Sequence, residues 1–304
     1  MSMAFRFEWE SVLILCLQEL IAKWPFVKGL FIFFTYFGEP VFAIAVVGFL
    51  YWGYKKEWGR YLILCVMGTQ LFTNMLKNTF LRIRPYMADE RITCLKAPES
   101  QTDLYDPYVQ GFSFPSGHSA CISSFAAALH LHLKNKRVDL VMFILTFLVG
   151  ISRIALGVHY PTDVLAGILL GIVCVSLIGR LYKKVKIETL YLLILSVGIA
   201  GTLFCRSEDF FSVFGLSLGF MAGERFEERF IGFRNTADPI RMLLRTAIGA
   251  AIFLAVDLSC KSLFARIAAD QEMIVLLLRS LRYALSCFAV MGLYPYLFSY
   301  GFLK

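Results

Sequence analysis

Residues 138–182 read VDLVMFILTFLVGISRIALGVHYPTDVLAGILLGIVCVSLIGRLY, two apolar runs on either side of a short polar segment. Each run is long enough for the helix of about 20 residues that crosses the ~30 Å hydrocarbon core of a bilayer. The segment between the runs contains an arginine, a histidine, a proline and an aspartate. This stretch therefore predicts two membrane-spanning helices joined by a connection that carries reactive side chains at one membrane face.

The same pattern extends over most of the chain. The sequence has 304 residues, of which 58% are hydrophobic and only 17% charged, more apolar surface than one water-soluble core would bury. Apolar runs suited to spans lie at residues 39–55, 59–80, 117–134, 138–156, 162–182, 187–205, 209–222, 243–264 and 273–297. We therefore predict an all-α fold, a multi-pass transmembrane helix bundle of about eight spans.

The runs divide the chain into three predicted parts. Residues 1–38 are interrupted by charges and a proline, so we expect an N-terminal amphipathic or interfacial segment, with a short broken span as the alternative for residues 9–36. Residues 39–186 contain the unusual polar segments and form the predicted catalytic helix bundle. Residues 187–304 are predicted to be additional transmembrane helices, and the sequence assigns no role to them.

Basic residues cluster in short connections between the runs, and this distribution predicts the topology. The clusters are Lys55, Lys56 and Arg60; Lys134, Lys136 and Arg137; and Arg180, Lys183, Lys184 and Lys186. Alternating spans place them on one side, which the positive-inside rule makes cytoplasmic, so the loops 81–116 and 153–161 face outward. We expect an integral protein of the cytoplasmic membrane with an outward-facing active site. The formal charge of +8 forms no extended basic face, so nucleic acid is not an expected partner.

The first unusual segment reads KNTFLRIRP at residues 77–85. Lys77 and Arg84 are separated by about two helical turns, so both side chains lie on one face of the helix end. Pro85 then stops the helix. Considered alone, a lysine and an arginine at this place are most simply explained as anchors that reach toward the membrane surface.

The second segment reads FPSGHS at residues 114–119. Ser116 suits a helix N-cap, and the backbone amides of Gly117 and His118 then open a helix, which is a natural cradle for an anion. By itself, a Pro-Ser-Gly sequence usually marks only a turn and a helix cap.

The third segment reads SRIALGVHYPTD at residues 152–163. Pro161 fits the first position of a helix and Asp163 its first turn, from which the carboxylate reaches back toward His159. An imidazole with a carboxylate partner is an activated base or nucleophile. The plain alternative is a satisfied polar pair within a helix bundle.

Together the three segments resemble the motifs of the type 2 phosphatidic acid phosphatase (PAP2) superfamily, which also includes glucose-6-phosphatase and the vanadium haloperoxidases. The motifs Lys-x6-Arg-Pro, Pro-Ser-Gly-His and Ser-Arg-x5-His-x3-Asp match without a gap or substitution, and the resemblance covers about residues 39–182. It implies that His118 protonates the leaving oxygen and that His159, oriented by Asp163, attacks phosphorus. It also implies a set of phosphate-binding residues: Lys77, Arg84, Ser116, Gly117 and Arg153.

The predicted function is hydrolysis of a lipid phosphate or diphosphate of phosphatidate, polyprenyl or sphingoid type, through a phosphohistidine intermediate. Phosphoryl transfer needs in-line placement and stabilisation of oxygen charge, which cationic side chains and helix amides supply, so we expect no cofactor and no metal. The expected partners are the lipid phosphate substrate and membrane lipids. Arg82 and Arg91 receive no role. The loop carboxylates Asp89, Glu90, Glu99, Asp103 and Asp106 are interpreted as solvated surface.

Alternative functions stay open at this point. A lipid phosphotransferase or a sugar-phosphate phosphatase would use the same site, and assays with candidate acceptors and with both substrate types separate these activities. From another class, a phospholipid transporter or scramblase would bind phosphate without turnover. Such a binding site has no need of the pairing between His159 and Asp163. The sequence makes no prediction of the oligomeric state.

Overall fold

The computed structural model describes residues 7–97, 103–267, 271–299 and 303. These residues form helices and connections, and no strand occurs among them. The α-helices run over Glu8–Lys23 (α1), Phe26–Thr35 (α2), Pro40–Gly48 (α3), Lys56–Phe80 (α4), Pro85–Ala88 (α5), Pro107–Gln110 (α6), Gly117–Leu133 (α7), Lys136–Ala155 (α8), Pro161–Lys184 (α9), Ile187–Thr202 (α10), Glu208–Phe230 (α11), Pro239–Phe264 (α12) and Glu272–Phe288 (α13). The predicted all-α fold is confirmed.

The helices include several that suit a membrane. Within the described part of the chain, four are long and apolar enough to cross it: α8, α9, α12 and the continuous helix Glu272–Ser299 that starts with α13. Shorter apolar helices cover Phe26–Gly38, Ala45–Tyr54 and Ile187–Thr202. Their composition places the chain in the membrane, as the hydrophobic runs predicted.

The chain forms two compact units. The first comprises Met1–Ala43 and Gly68–Arg180, and the second comprises Ile44–Met67 and Leu181–Lys304. All eight predicted site residues fall in the first unit. Its core behind the site joins α1 to the connections around it: Ile14, Tyr86, Ile92, Ile154, Leu156, Val158, Tyr160 and Val164 pack together. The N-terminal helix is therefore part of this unit's core.

The second unit contains its own buried charges. Glu224 and Glu227 on α11 are fully buried. Arg60 pairs with Glu224, and Lys56 pairs with Glu227. A buried carboxylate without a cationic partner would carry a large desolvation cost, so these pairs fix the start of α4 against α11.

Close packing between α7 and α9 sets the geometry of the first unit. A Cβ added at Gly167 of α9 would lie 2.5 Å from the Ser116 carbonyl oxygen, and one at Gly171 would lie 2.1 Å from the Ser123 hydroxyl. Real Cβ atoms do not come this close to other atoms, so the two helices approach each other only because glycine occupies both positions. The start of α7 is thereby held beside the first turns of α9.

We expect Gly167→Ala to destabilise the protein, because the carbonyl oxygen that a Cβ would meet belongs to the backbone and cannot rotate away. Overpacking of this kind costs about 1–3 kcal/mol. Thermal unfolding in detergent should show a lower midpoint than wild type. Gly29→Ala on α2 is the matched control, because nothing lies within 4 Å of its added Cβ. An unchanged midpoint for Gly167→Ala would contradict the close packing of α7 and α9.

Candidate active site

The second and third motif segments lie side by side at the starts of α7 and α9. The Ser116 backbone N–H donates to the Asp163 carbonyl oxygen over 3.0 Å. Ser116 also caps α7, since its hydroxyl accepts from the Ser119 backbone N–H at 3.4 Å. Two helix N-termini, each the positive end of a helix dipole, therefore face the same small region.

His159 lies in the connection between α8 and α9 and is only 2% exposed. Its Nδ1 is 3.5 Å from Oδ2 of Asp163, and its Nε2 is 3.4 Å from Nη1 of Arg84. Oδ2 of Asp163 also accepts the Tyr160 backbone N–H at 2.8 Å. The carboxylate thus faces one ring nitrogen, and the other ring nitrogen faces a cation.

The environment of His159 favours a neutral ring. Burial is the main cause that lowers the pKa of His159 well below its usual value, and the positive charge of Arg84 lowers it further. With the carboxylate of Asp163 beside Nδ1, the proton of the neutral ring belongs on that nitrogen. The lone pair then resides on Nε2, where a nucleophile would need it.

Main-chain carbonyl oxygens hold the guanidinium of Arg84 in place. Nη1 donates to the Val158 carbonyl at 3.0 Å, Nε to Gly111 at 2.8 Å and Nη2 to Gln110 at 2.7 Å. The side chain is almost completely buried. These bonds fix a planar cation beside His159, suited to phosphate oxygens.

Lys77 approaches the start of α7 from α4. A Cβ added at Gly117 would lie 3.8 Å from Nζ of Lys77, and the Gly117 carbonyl oxygen accepts from Nε2 of Gln70 at 3.0 Å. The ammonium group and the first amides of α7 are therefore close together. A cation beside a helix N-terminus is a favourable place for a phosphate group.

The end of α2 forms another wall of the site. Nη1 of Arg153 donates to Oγ1 of Thr35 at 2.8 Å, and both side chains are buried. A Cβ added at Gly38 would lie 2.8 Å from Cβ of His118, so the turn Tyr36–Gly38 packs directly against that histidine. The N-terminal segment, expected to be interfacial, contributes in this way to the surroundings of Arg153 and His118.

These contacts bring all the predicted residues into one region. The positive charge of Arg153 also lowers the pKa of His159, which adds Arg153 to the group around the imidazole. The cluster comprises Lys77, Arg84, Ser116, Gly117, His118, Arg153, His159 and Asp163. It combines three cations, two imidazoles, a carboxylate and the starts of two helices.

The sequence interpretation left out two buried residues next to this cluster, one in contact with Asp163 and one in contact with the first. Arg82 is fully buried and contacts Asp163, although no role was predicted for it. Glu10 of α1 is also fully buried and pairs with Arg82 at 2.7 Å. In the sequence, Glu10 has the ordinary explanation of an acidic residue in the first turn of a helix. Only the fold shows that it lies beside Arg82.

The carboxylates of the outer loop differ from the prediction in one case. Asp89 is buried and accepts from Nε of Arg91 at 2.9 Å, so its assignment to solvated surface is wrong. Glu90, Asp103 and Asp106 are exposed, and Glu99 lies outside the described residues. Asp89 is buried because the neighbouring arginine returns to it over the short turn and satisfies its charge.

Among residues 7–97, 103–267, 271–299 and 303, no group of three or more His, Cys, Asp or Glu side chains is arranged to hold a metal ion. The polar groups that face the site are mainly donors and cations, which match an anion.

Comparison with known proteins agrees with the geometry. A family model described as PAP2 superfamily matches residues 58–187, and one described as PAP2 superfamily phosphatase, transmembrane extension, matches residues 211–303. The second match gives the C-terminal helices, to which the sequence assigned no role, a place in the same superfamily.

Individual relatives are similar over the motif region. Phosphatidylglycerophosphatase B of Bacillus subtilis is 32% identical over 182 residues, which cover 55% of this chain and 81% of that protein. Lipid A 1-phosphatase of Rhizobium johnstonii is 34% identical, with 37% of this chain and 43% of that protein covered. The crystal structure of Aquifex aeolicus LpxE has a TM-score of 0.49 at 28% identity and covers 59% of this chain and 99% of its own.

The similarity to phosphatidylglycerophosphatase B extends over most of that protein, and two PAP2 models match successive parts of the sequence. The resemblance seen in the three motifs is thereby confirmed. The chain belongs to the PAP2 superfamily and is an integral membrane phosphatase.

Proposed function

We propose that the protein hydrolyses a lipid phosphate or diphosphate at this site through a phosphohistidine intermediate on His159. The observation that carries the proposal is the buried imidazole held between Asp163 and Arg84. A lipid substrate is supported by the membrane-spanning helices and by the names of relatives, which include a phosphatidylglycerophosphatase, a lipid A 1-phosphatase and an undecaprenyl-diphosphatase.

In the first step, Nε2 of His159 attacks phosphorus and the bond from phosphorus to the leaving oxygen breaks. His118 donates its proton to that oxygen, so the lipid product leaves as an alcohol or a lower phosphate. A bound phosphate dianion brings negative charge among the cations and thereby stabilises a protonated His118. Asp163 stabilises the positive charge that His159 acquires, as a triad carboxylate does.

In the second step, water attacks the phosphohistidine. His118, now neutral, accepts the proton of the water, and the bond between phosphorus and Nε2 breaks. Inorganic phosphate leaves and both histidines return to their first state. Lys77, Arg84, Arg153 and the amides at the start of α7 stabilise the equatorial oxygens in both steps, where electrostatic preorganisation contributes most.

We further propose that the site opens to the outer face of the cytoplasmic membrane. α7 begins at the site and ends before Lys134, and α8 begins at Lys136 and returns to Arg153. The basic connection therefore lies at the opposite end of both helices from the site. The positive-inside rule makes that end cytoplasmic. We also propose the division predicted from the sequence: residues 39–186 carry the three motifs of the catalytic bundle, and residues 187–304 are additional helices.

Replacement of each histidine should lower turnover in a different way. His159→Ala removes the attacking nitrogen, so no phosphoenzyme should form and turnover should fall by several orders of magnitude. His118→Ala removes only the proton donor, a loss of about 10²–10⁴-fold. A nitrophenyl phosphate, whose leaving group needs little protonation, should therefore restore turnover to His118→Ala far more than to His159→Ala. Equal restoration of both variants would show that the nucleophile is misassigned.

Catalysis that depends on fixed cations and amides should survive chelators. We expect phosphate release from a lipid phosphate to continue in EDTA and to be inhibited by vanadate, whose trigonal-bipyramidal oxyanion resembles the transition state. Loss of activity in EDTA with recovery on a divalent ion would contradict the metal-free mechanism. Phosphate release that requires a lipid or sugar acceptor would identify a phosphotransferase.

Impermeant thiol reagents can test the membrane orientation. In a cysteine-free background, Tyr108→Cys should be labelled on intact cells, because this side chain of the site loop is 79% exposed. Lys136→Cys, at the start of α8 beside the basic connection, should be labelled only after lysis. The reverse pattern would mean that the active site faces the cytoplasm.

A further inference from the structure

A buried network of charges lies on the side of Asp163 away from the phosphate site. Arg82 is fully buried between two fully buried carboxylates. Its Nη1 donates to Oδ1 of Asp163 at 2.5 Å, and its Nη2 donates to Oε2 of Glu10 at 2.7 Å. The guanidinium carbon is 4.0 Å from the centre of the Tyr160 ring.

This arrangement depends on the planar guanidinium group of Arg82. A guanidinium group presents its nitrogens in one rigid plane, so a single arginine bonds two carboxylates in fixed directions. Burial of three charges costs several kcal/mol per ion unless each is paired and hydrogen-bonded, which makes a chance arrangement of this kind expensive. The network contacts Asp163 directly and therefore acts on that carboxylate.

Both oxygens of the Asp163 carboxylate have polar contacts. Oδ1 accepts from Arg82, while Oδ2 accepts from the Tyr160 backbone N–H and faces Nδ1 of His159. The bond to Arg82 fixes the rotation of the carboxylate, so the second oxygen points at the imidazole. It also keeps a balancing positive charge beside a carboxylate that burial would otherwise neutralise.

Glu10 holds the other side of the same network. Its Oε1 accepts from the backbone N–H of Thr162 at 3.1 Å and from the Thr162 hydroxyl at 2.6 Å. Nη1 of Arg82 also donates to that hydroxyl at 2.7 Å. Glu10 therefore positions Arg82 and ties α1 to the residue that lies directly before Asp163.

We infer that Glu10, acting through Arg82, is a positioning residue for the reaction, so that helix α1 is a working part of the active site. The inference rests on the proposed function of His159 and Asp163. Glu10 lies outside residues 58–187, the part matched by the PAP2 superfamily model. It touches neither the phosphate site nor His159, and it acts by holding the guanidinium that orients the carboxylate.

The test compares Glu10→Gln with Glu8→Gln, the same substitution two positions earlier on α1. Glu8 is mostly exposed and pairs with Arg91 on the surface. For Glu10→Gln we expect kcat on a lipid phosphate to fall about 10- to 100-fold, the range typical of residues that orient a direct ligand. KM should stay within about twofold, because no phosphate ligand is lost. Glu8→Gln should behave like wild type.

A double-mutant cycle separates positioning from a general effect on folding. If Glu10 acts through Asp163, adding Glu10→Gln to Asp163→Asn should lower the remaining kcat by less than about twofold. A full additional loss in the double variant would overturn the inference, as would a wild-type kcat for folded Glu10→Gln. Binding of vanadate, measured as a rise in the unfolding midpoint, reports whether each variant retains a folded site.

Arg82→Lys is a second test of the inference that Arg82 orients Asp163. Lysine keeps the buried positive charge but cannot bond both carboxylates in fixed directions. It should lower kcat about tenfold with KM retained, and a wild-type kcat would contradict the inference even if Glu10→Gln did not fold. The proposed function fails separately: wild-type protein that releases no phosphate, or His159→Ala that remains active, would remove the reaction itself.

Discussion

The hydrogen bond from the Ser116 amide to the Asp163 carbonyl fixes the geometry on which the site depends. It joins the start of α7 to the first turn of α9 at a separation that only glycine at 167 and 171 permits. Because backbone atoms make this bond, the alignment of the two helix N-termini does not depend on the side chains of Ser116 and Asp163. Their dipoles then contribute fixed positive potential where a phosphate group would bind.

Hydrogen bonds within the protein hold the two arginines of the site in place. Arg84 donates to backbone carbonyls, and Arg153 donates to Thr35. Groups that are already oriented need little reorganisation when negative charge develops, which is the main electrostatic advantage of an enzyme over water. The same positive surroundings, together with burial, lower the pKa of His159 and so favour the neutral ring that the proposed nucleophile needs.

The sequence predicted much of this because the decisive signals are local. The length of the apolar runs gave the helical membrane fold, and local rules correctly placed Pro161 at the start of a helix with Asp163 in its first turn. The helical face predicted to be shared by Lys77 and Arg84 is wrong, because α4 ends at Phe80 and Pro85 begins α5 instead of stopping α4. The pairing of Glu10 with Arg82 joins residues 72 positions apart, and no pattern in either segment indicates it. Asp89 was misjudged for a different reason. A carboxylate in a polar loop is usually solvated, and an arginine two positions later in the sequence does not by itself indicate that the carboxylate is buried.

The anchoring of Arg84 by main-chain carbonyls has a consequence for how this enzyme can diversify. Every amino acid offers the same carbonyl oxygen, so a substitution at residue 110 or 158 keeps the acceptor for the guanidinium, whereas the buried side chain at either position must still fit its surroundings. Position 111 is more restricted, since its φ of +69° favours glycine. Exposed side chains of the loop that borders the site, such as Tyr108, can therefore change while Arg84 keeps its main-chain acceptors.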